Sequence, residues 1–209
     1  MRKRGFAIIL ILIMSVLCTA CGSGGSSQAV NAVSQWVPQD EQSQQLVQLL
    51  TPNKNASIVS YTTDDSIKNV KLGCRYYENG ELVSDDSQGS FNLVEEETAK
   101  ASAGLIAVIR DENDFELSAS CNGNNFSISD IGIPGYKDDD TDYSFAVGEL
   151  TKEYSFKDGE PVYLVAYYNN EDGETSAYDP QYLVEDPEAL KANEKTWIIY
   201  AVFSSEVLD

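Results

Sequence analysis

Histidine is missing altogether from the 209 residues. That removes the commonest general base, the usual proton shuttle and the favoured ligand of zinc and copper. A Ser-His-Asp or Cys-His arrangement therefore has no place within this chain. Basic residues are also scarce, with 14 Lys and Arg against 34 Asp and Glu and a formal net charge of −20. A field of that sign repels phosphate, which excludes nucleic acid as a partner and gives no attraction to an anionic lipid surface. No phosphate-cradling glycine loop is present either, because Gly22 to Gly25 do not lie between a strand and a helix. No segment recurs at a period of about 20–50 residues, so a solenoid or repeat array is excluded. The longest apolar run, Phe6 to Leu17, falls short of the roughly 20 residues that a comfortable membrane span needs.

What is present begins at the N-terminus. Arg2, Lys3 and Arg4 precede that apolar run, and Leu17-Cys18-Thr19-Ala20-Cys21-Gly22 follows it. A basic start, a short apolar core and small residues at the cut are the parts of a secretory signal. The segment resembles the signal peptide and lipobox of bacterial lipoproteins, with one departure: Cys18 stands three residues before Cys21, where leucine is commonest. The resemblance covers the signal alone. It implies that residues 1–20 are removed, that Cys21 carries a diacylglyceryl group, and that the mature chain is extracytoplasmic and lipid-anchored to the bacterial cell membrane. Two acyl chains suffice for stable anchoring, since each buried methylene contributes about 0.8 kcal/mol. Without Arg2, Lys3 and Arg4, 11 basic residues face 34 acidic ones. Gly22 to Ser27 and the Gln-rich residues after them read as a flexible, solvated tether over residues 21–45. Gly/Ser/Gln-rich starts of this kind resemble lipoproteins of Gram-positive bacteria.

Residues 46–209 remain as one domain of ordinary size, long enough to bury a core. Cys18 leaves with the signal and Cys21 goes to lipid, so the domain keeps Cys74 and Cys121. An even pair in an exported domain permits one disulfide; the alternative is two buried thiols acting as small hydrophobes.

Leu46, Val47, Leu49 and Leu50 recur at helical spacing and predict a short amphipathic helix over residues 40–50, ended by Thr51-Pro52-Asn53. From Ser57 the apolar period changes to two. Val70, Leu72, Cys74 and Tyr76 alternate with Lys71, Gly73, Arg75 and Tyr77, the pattern of a half-buried strand. Asn79-Gly80 then predicts a type I′ hairpin, because both central residues of that turn need positive φ. Residues 85–89 read as a loop and 90–94 as another short strand. Further strands are expected over 105–109, 115–121, 126–129, 143–150, 162–168, 174–178 and 197–203. The runs at 105–109, 162–168 and 197–203 are apolar on both faces and belong inside sheets. Asp186-Pro187 predicts a minor helical turn, with Asp186 as N-cap and Pro187 at the first helical position. Short strands at roughly ten-residue spacing with turns between them predict a single antiparallel immunoglobulin-like β-sandwich, all-β apart from these helical pieces.

Chemistry is sparse. Asp138, Asp140 and Asp142 offer alternate carboxylates to calcium, a cation that takes 6–8 oxygens, but the run lacks the glycine and later glutamate of an EF-hand loop. No other cofactor is expected. Tyr136, Tyr143, Tyr178 and Tyr182 lie in or beside expected loops, where an aromatic face with a polar rim can stack on a sugar. A carboxylate-pair glycosidase needs two acids and no histidine, yet no motif selects a pair among 34 acids, and no enzymatic activity is expected. The expectation is a monomeric, surface-tethered binding module for a protein or glycan. An accessory structural lipoprotein without a small-molecule site is the alternative, and a glycoside hydrolase stands third.

Overall fold

The computed structural model describes residues 30–34, 55–93, 102–110, 114–121, 124–135, 145–150, 153–169 and 178–206. Residues 1–20, Cys21, the helix expected over 40–50, and Tyr136, Asp138, Asp140, Asp142 and Tyr143 lie outside them. The strands are β1 (Val30–Ser34), β2 (Asn55–Thr63), β3 (Asn69–Glu78), β4 (Glu81–Asn92), β5 (Ala103–Arg110), β6 (Asp114–Cys121), β7 (Asn124–Gly132), β8 (Ala146–Glu149), β9 (Tyr154–Phe156), β10 (Pro161–Asn169) and β11 (Lys195–Ser204). Two short helices, α1 (Pro180–Glu185) and α2 (Pro187–Lys191), connect the last two strands.

The expected antiparallel sandwich is present. One sheet has the order β7-β6-β5-β2-β1-β9 and the other β4-β3-β11-β10-β8. The described residues hold eleven strands, more than the seven or nine of an immunoglobulin domain. Val59, Tyr61, Ile106, Val108 and Leu117 project from the first sheet onto Leu72, Cys74, Leu164, Tyr167, Trp197 and Ile199 from the second, forming one core. Burying each large apolar side chain of this kind contributes about 1.5–3 kcal/mol. Ring pairs bridge the sheets at both ends: Tyr61 with Phe203 at 5.1 Å and Phe115 with Tyr167 at 5.2 Å between centroids.

The doubly apolar strands owe their character to a third layer. β10 and β11 are buried on both faces because α1 and α2 cover the outside of their sheet. Leu183 and Leu190 of the helices pack on Tyr77, Ala166, Tyr168, Ile198 and Tyr200. β5 differs. It is central in the other sheet, where no described element covers the outer face, so Leu105 is 43% exposed despite its apolar run.

The Asn79-Gly80 turn forms as expected, with φ of 50° and 79°. Two other expectations need correction. Residues 85–94 are not a loop followed by a new strand, because β4 runs unbroken from Glu81 to Asn92. β3 supplies partners along its whole length, and two register shifts, at Leu72/Gly73 and Tyr76/Tyr77, take up Gln88 and Val83 as extra residues. Residues 30–34 are not tether. They form β1, which pairs with both β2 and β9; a segment too polar to fold alone gains its ladder from two neighbours.

Of the two states open to Cys74 and Cys121, the structure has the buried thiols, free rather than bonded. Cys121 lies against Tyr61 and contacts the Leu93 carbonyl at 3.7 Å. Tyr61 packs on Phe203, whose β3 partner is Val70. Cys74 is four residues further along β3, about 13 Å at strand rise, whereas a disulfide needs Cα atoms within about 7 Å.

Candidate functional site

The described part of the connection from β10 to β11, residues 178–194, carries exposed Tyr182 beside two helix-capping aspartates, Asp179 and Asp186. Asp179 caps α1 by accepting from the Gln181 N–H at 3.0 Å, and Pro180 fits the first turn, where no N–H is required. Leu183, fully buried, pins the helix to the sheet. Asp186 closes α1 and opens α2, its Oδ1 accepting from Glu188 and Ala189 N–H at 3.0 and 3.4 Å. The α2 cap was legible as Asp-Pro. The same Asp-Pro signal at Asp179-Pro180 opens α1, just past the strand expected over 174–178, where no helix was expected.

This geometry lines up three tyrosines. Tyr168 is buried in β10, and its hydroxyl accepts from the Tyr178 N–H at 2.8 Å. The Tyr178 ring stands 6.0 Å from that of Tyr168 and stacks on Tyr182 at 5.8 Å, with planes 25° apart. Tyr182 is 46% exposed and forms the outer member of the row. Its hydroxyl donates to Asp186 Oδ2 at 2.7 Å, a bond across one helical turn that fixes the ring. The bond holds the Asp186 carboxyl below its ordinary pKa, assisted by the Glu188 N–H, and holds the Tyr182 phenol above its own. Tyr154, on β9, bonds Asp179; burial first and that bond second raise its pKa. Gly148 makes the close approach feasible, because a Cβ there would overlap the Tyr178 carbonyl oxygen. The row thus combines a stacked aromatic surface with carboxylates at its rim.

Of the four tyrosines singled out from sequence, Tyr178 and Tyr182 are brought into contact, while Tyr136 and Tyr143 fall outside the described residues, as do Asp138, Asp140 and Asp142. Residues 136–144, which include the latter five, follow Gly135, set against Tyr76, and precede Phe145, set against Trp197 at 5.4 Å. Among the described residues, no group of three or more Cys, Asp or Glu is placed to hold a metal ion.

A second polar cluster, unsuspected from sequence, lies on the same outer sheet face. Arg75 Nε bonds Asp85 Oδ2 at 2.9 Å, its Nη1 bonds the Tyr163 hydroxyl, and its guanidinium lies over the rings of Tyr163 and Tyr200 at 5.3 and 5.4 Å. Tyr200 donates to Asp85 Oδ1 at 2.7 Å, across a backbone left open by Gly73. Burial opposes the Arg75 charge, but Tyr163 and Asp85 outweigh it and raise its pKa. Both rings are only 5% exposed. The cluster is therefore a strut that ties β4 to β10, not a surface for a ligand.

No protein-family model matches the chain, and neither a curated protein nor a solved structure matches it. No described helix is long and apolar enough to cross a membrane.

Proposed function

We propose that the protein is a membrane-anchored extracytoplasmic lipoprotein whose sandwich acts as a binding module for a glycan. The anchor rests on the lipobox at Cys21. The ligand class rests on one observation, the Tyr178–Tyr182 stack with its outer ring exposed and oriented by Asp186. Pyranose faces present C–H groups that pack on such rings, while carboxylates at the rim accept from sugar hydroxyls. Fixing both rings before the ligand arrives lowers the entropy lost on binding.

The test is thermal melting of the mature chain against soluble oligosaccharides, with Tyr182→Ala as the control. A glycan at 100 times its dissociation constant stabilises the native state by about 2.7 kcal/mol. The shift should be present in the native protein and lost in the variant. A shift that survives Tyr182→Ala, or no shift with any glycan, rejects the stack as the site.

A protein ligand is favoured by a different observation. β4 is the edge strand of its sheet, and it exposes Leu82 (52%) and Val83 (55%) side by side, an apolar pair on an open edge.

A further inference from the structure

The position of β1 sets how the domain stands on a membrane. Val30 is its first residue and pairs with Thr63 of β2 and Phe156 of β9. Only eight residues lie between Cys21 and Val30, nine chain steps that span at most about 30 Å fully extended and about 16 Å on average for a flexible chain. One end of the sandwich is therefore held close to whatever holds Cys21.

That end can be identified from the register. Thr63 leads into the Asp64–Ser66 turn and Phe156 into the Asp158–Gly159 turn. Ser205 closes the same end, its N–H donating to Asp158 Oδ1 at 2.9 Å, while the Lys68 N–H bonds the Ser204 carbonyl at 2.8 Å. The opposite end carries the Asn79-Gly80 hairpin, whose Asn79 N–H bonds the Glu194 carbonyl at 2.8 Å, and Pro134, whose carbonyl accepts from Trp197 Nε1 at 2.7 Å. β3 spans ten residues between the two ends, about 30 Å. The tyrosine row lies partway up the flank. Gly148, which packs on Tyr178, pairs with Ala166, five residues along β10 from Pro161 at the anchored end, about 16 Å.

We infer that the sandwich stands upright on the bilayer, with its Asp64–Ser66 and Asp158–Gly159 turns toward the membrane, so that the Tyr178–Tyr182 row opens sideways above the headgroups and takes a glycan presented from outside rather than a glycolipid of the same membrane. This rests on lipid anchoring at Cys21 and on the glycan reading of the row. Two effects hold the orientation. A body about 30 Å long, attached at one end by a shorter tether, loses to the plane those orientations in which its free end dips. The mature chain's 11 basic against 34 acidic residues, a net charge of about −23, adds repulsion from anionic lipid, acting within about 8 Å at physiological salt.

The orientation can be read without relying on the cell's own lipidation. The mature chain beginning at Cys21 is coupled through that thiol to a maleimide lipid in phosphatidylcholine/phosphatidylglycerol vesicles. Cys74 and Cys121 are buried and do not compete. A fluorescent amino acid replaces exposed Asp65 at the anchored end in one variant and exposed Glu81 at the hairpin end in another, and the vesicles carry an energy-acceptor lipid. Transfer from position 65 is expected to exceed that from position 81 at least about twofold, given the roughly 30 Å between the ends. Inserting about 20 Gly/Ser residues after Ser27 should lower both and bring them together. Equal transfer in the unextended chain, or greater transfer from position 81, overturns the inference. The mass of the native protein tests lipidation separately. Binding of a soluble oligosaccharide, but not of the same sugar on a lipid in the protein's own vesicle, tests the ligand source; the reverse result also overturns it.

Discussion

Replacing Gly148 by alanine is expected to weaken both the fold and the site, against the usual direction of such a change. At a compatible backbone position, Gly→Ala stabilises a protein by about 0.4–1 kcal/mol because the unfolded chain loses freedom. Gly148 has an ordinary strand conformation, so it should follow that rule if it were uncrowded. It does not, because an added Cβ would sit more than an ångström inside the closest tolerable approach to the Tyr178 carbonyl oxygen, a backbone atom that cannot rotate away. Relief requires the segment entering α1 to lift. Overpacking of this kind costs about 1–3 kcal/mol. Lifting also stretches the 2.8 Å bond from the Tyr178 N–H to the Tyr168 hydroxyl, worth about 0.5–1.5 kcal/mol. Less the gain in the unfolded state, a net loss of about 1–4 kcal/mol remains, a fall in melting temperature of roughly 2–16 °C for a domain of this size. Urea denaturation at constant slope would measure the stability, and near-ultraviolet circular dichroism would report the Tyr168–Tyr178–Tyr182 row. Gly132→Ala serves as the comparison, because nothing lies within 4 Å of its added Cβ; its stability should stay level or rise. Equal behaviour of the two variants, with the tyrosine signal unchanged, would refute the close approach of β8 to Tyr178.

Tyr182→Phe keeps the ring but not the bond to Asp186, so glycan affinity measured by calorimetry should fall less than in Tyr182→Ala, for which the loss of one stacking face predicts about tenfold. Arg75→Ala removes a part-exposed ion pair and two cation–π contacts and should cost about 1–2 kcal/mol in urea denaturation; an unchanged midpoint would show that the strut contributes nothing. Burial, reinforced by Asp86 and Asp85, pushes the Cys74 thiol up to about 12. Its folded pKa exceeds the unfolded value near 9, so its stabilising contribution is complete below pH 9 and is lost as pH rises from 9 toward 12. Cys74→Ala should accordingly show a flatter alkaline stability profile than the native protein, and a thiol reagent at pH 8 should reach Cys74 only after unfolding. The Asp186 carboxyl, held low first by Tyr182 and then by the Glu188 N–H, supports the α1–α2 junction above its unfolded pKa. That support should fade as pH falls through the folded value, visible as changed tyrosine circular dichroism in acid.

Legibility followed the range of the forces involved. The Asn79-Gly80 hairpin could be read because the need for positive φ is met within two residues, and the α2 cap because Asp186 and Pro187 satisfy their own helix end. The unbroken course of β4 could not be read, since Asp85, Asp86 and Ser87 are poor strand residues that hold their conformation only because β3 offers them a ladder. β1 is a sharper case: a short segment in polar surroundings becomes a central strand because β2 and β9 flank it. At the candidate site, Tyr178 and Tyr182 stood out for composition and position near a loop. Their contact depends on α1, and the place of α1 depends on Leu183 finding the outer face of a sheet formed by distant strands. The Arg75 strut joins residues from β3, β4, β10 and β11, up to 125 positions apart, with no local signature.

By itself the sequence determined an acidic, histidine-free chain with a signal resembling a lipobox and an alternating pattern that makes an antiparallel sandwich. These follow from composition, charge and side-chain period, each of which acts over a few residues. Only the tertiary structure decided that β1 belongs to the sandwich, that Cys74 and Cys121 stay apart, that the doubly apolar strands are covered by helices, and that two tyrosines stack into an exposed row. Those outcomes depend on which surfaces meet after the chain closes on itself, and burial and shape at such contacts are set by residues far apart in sequence.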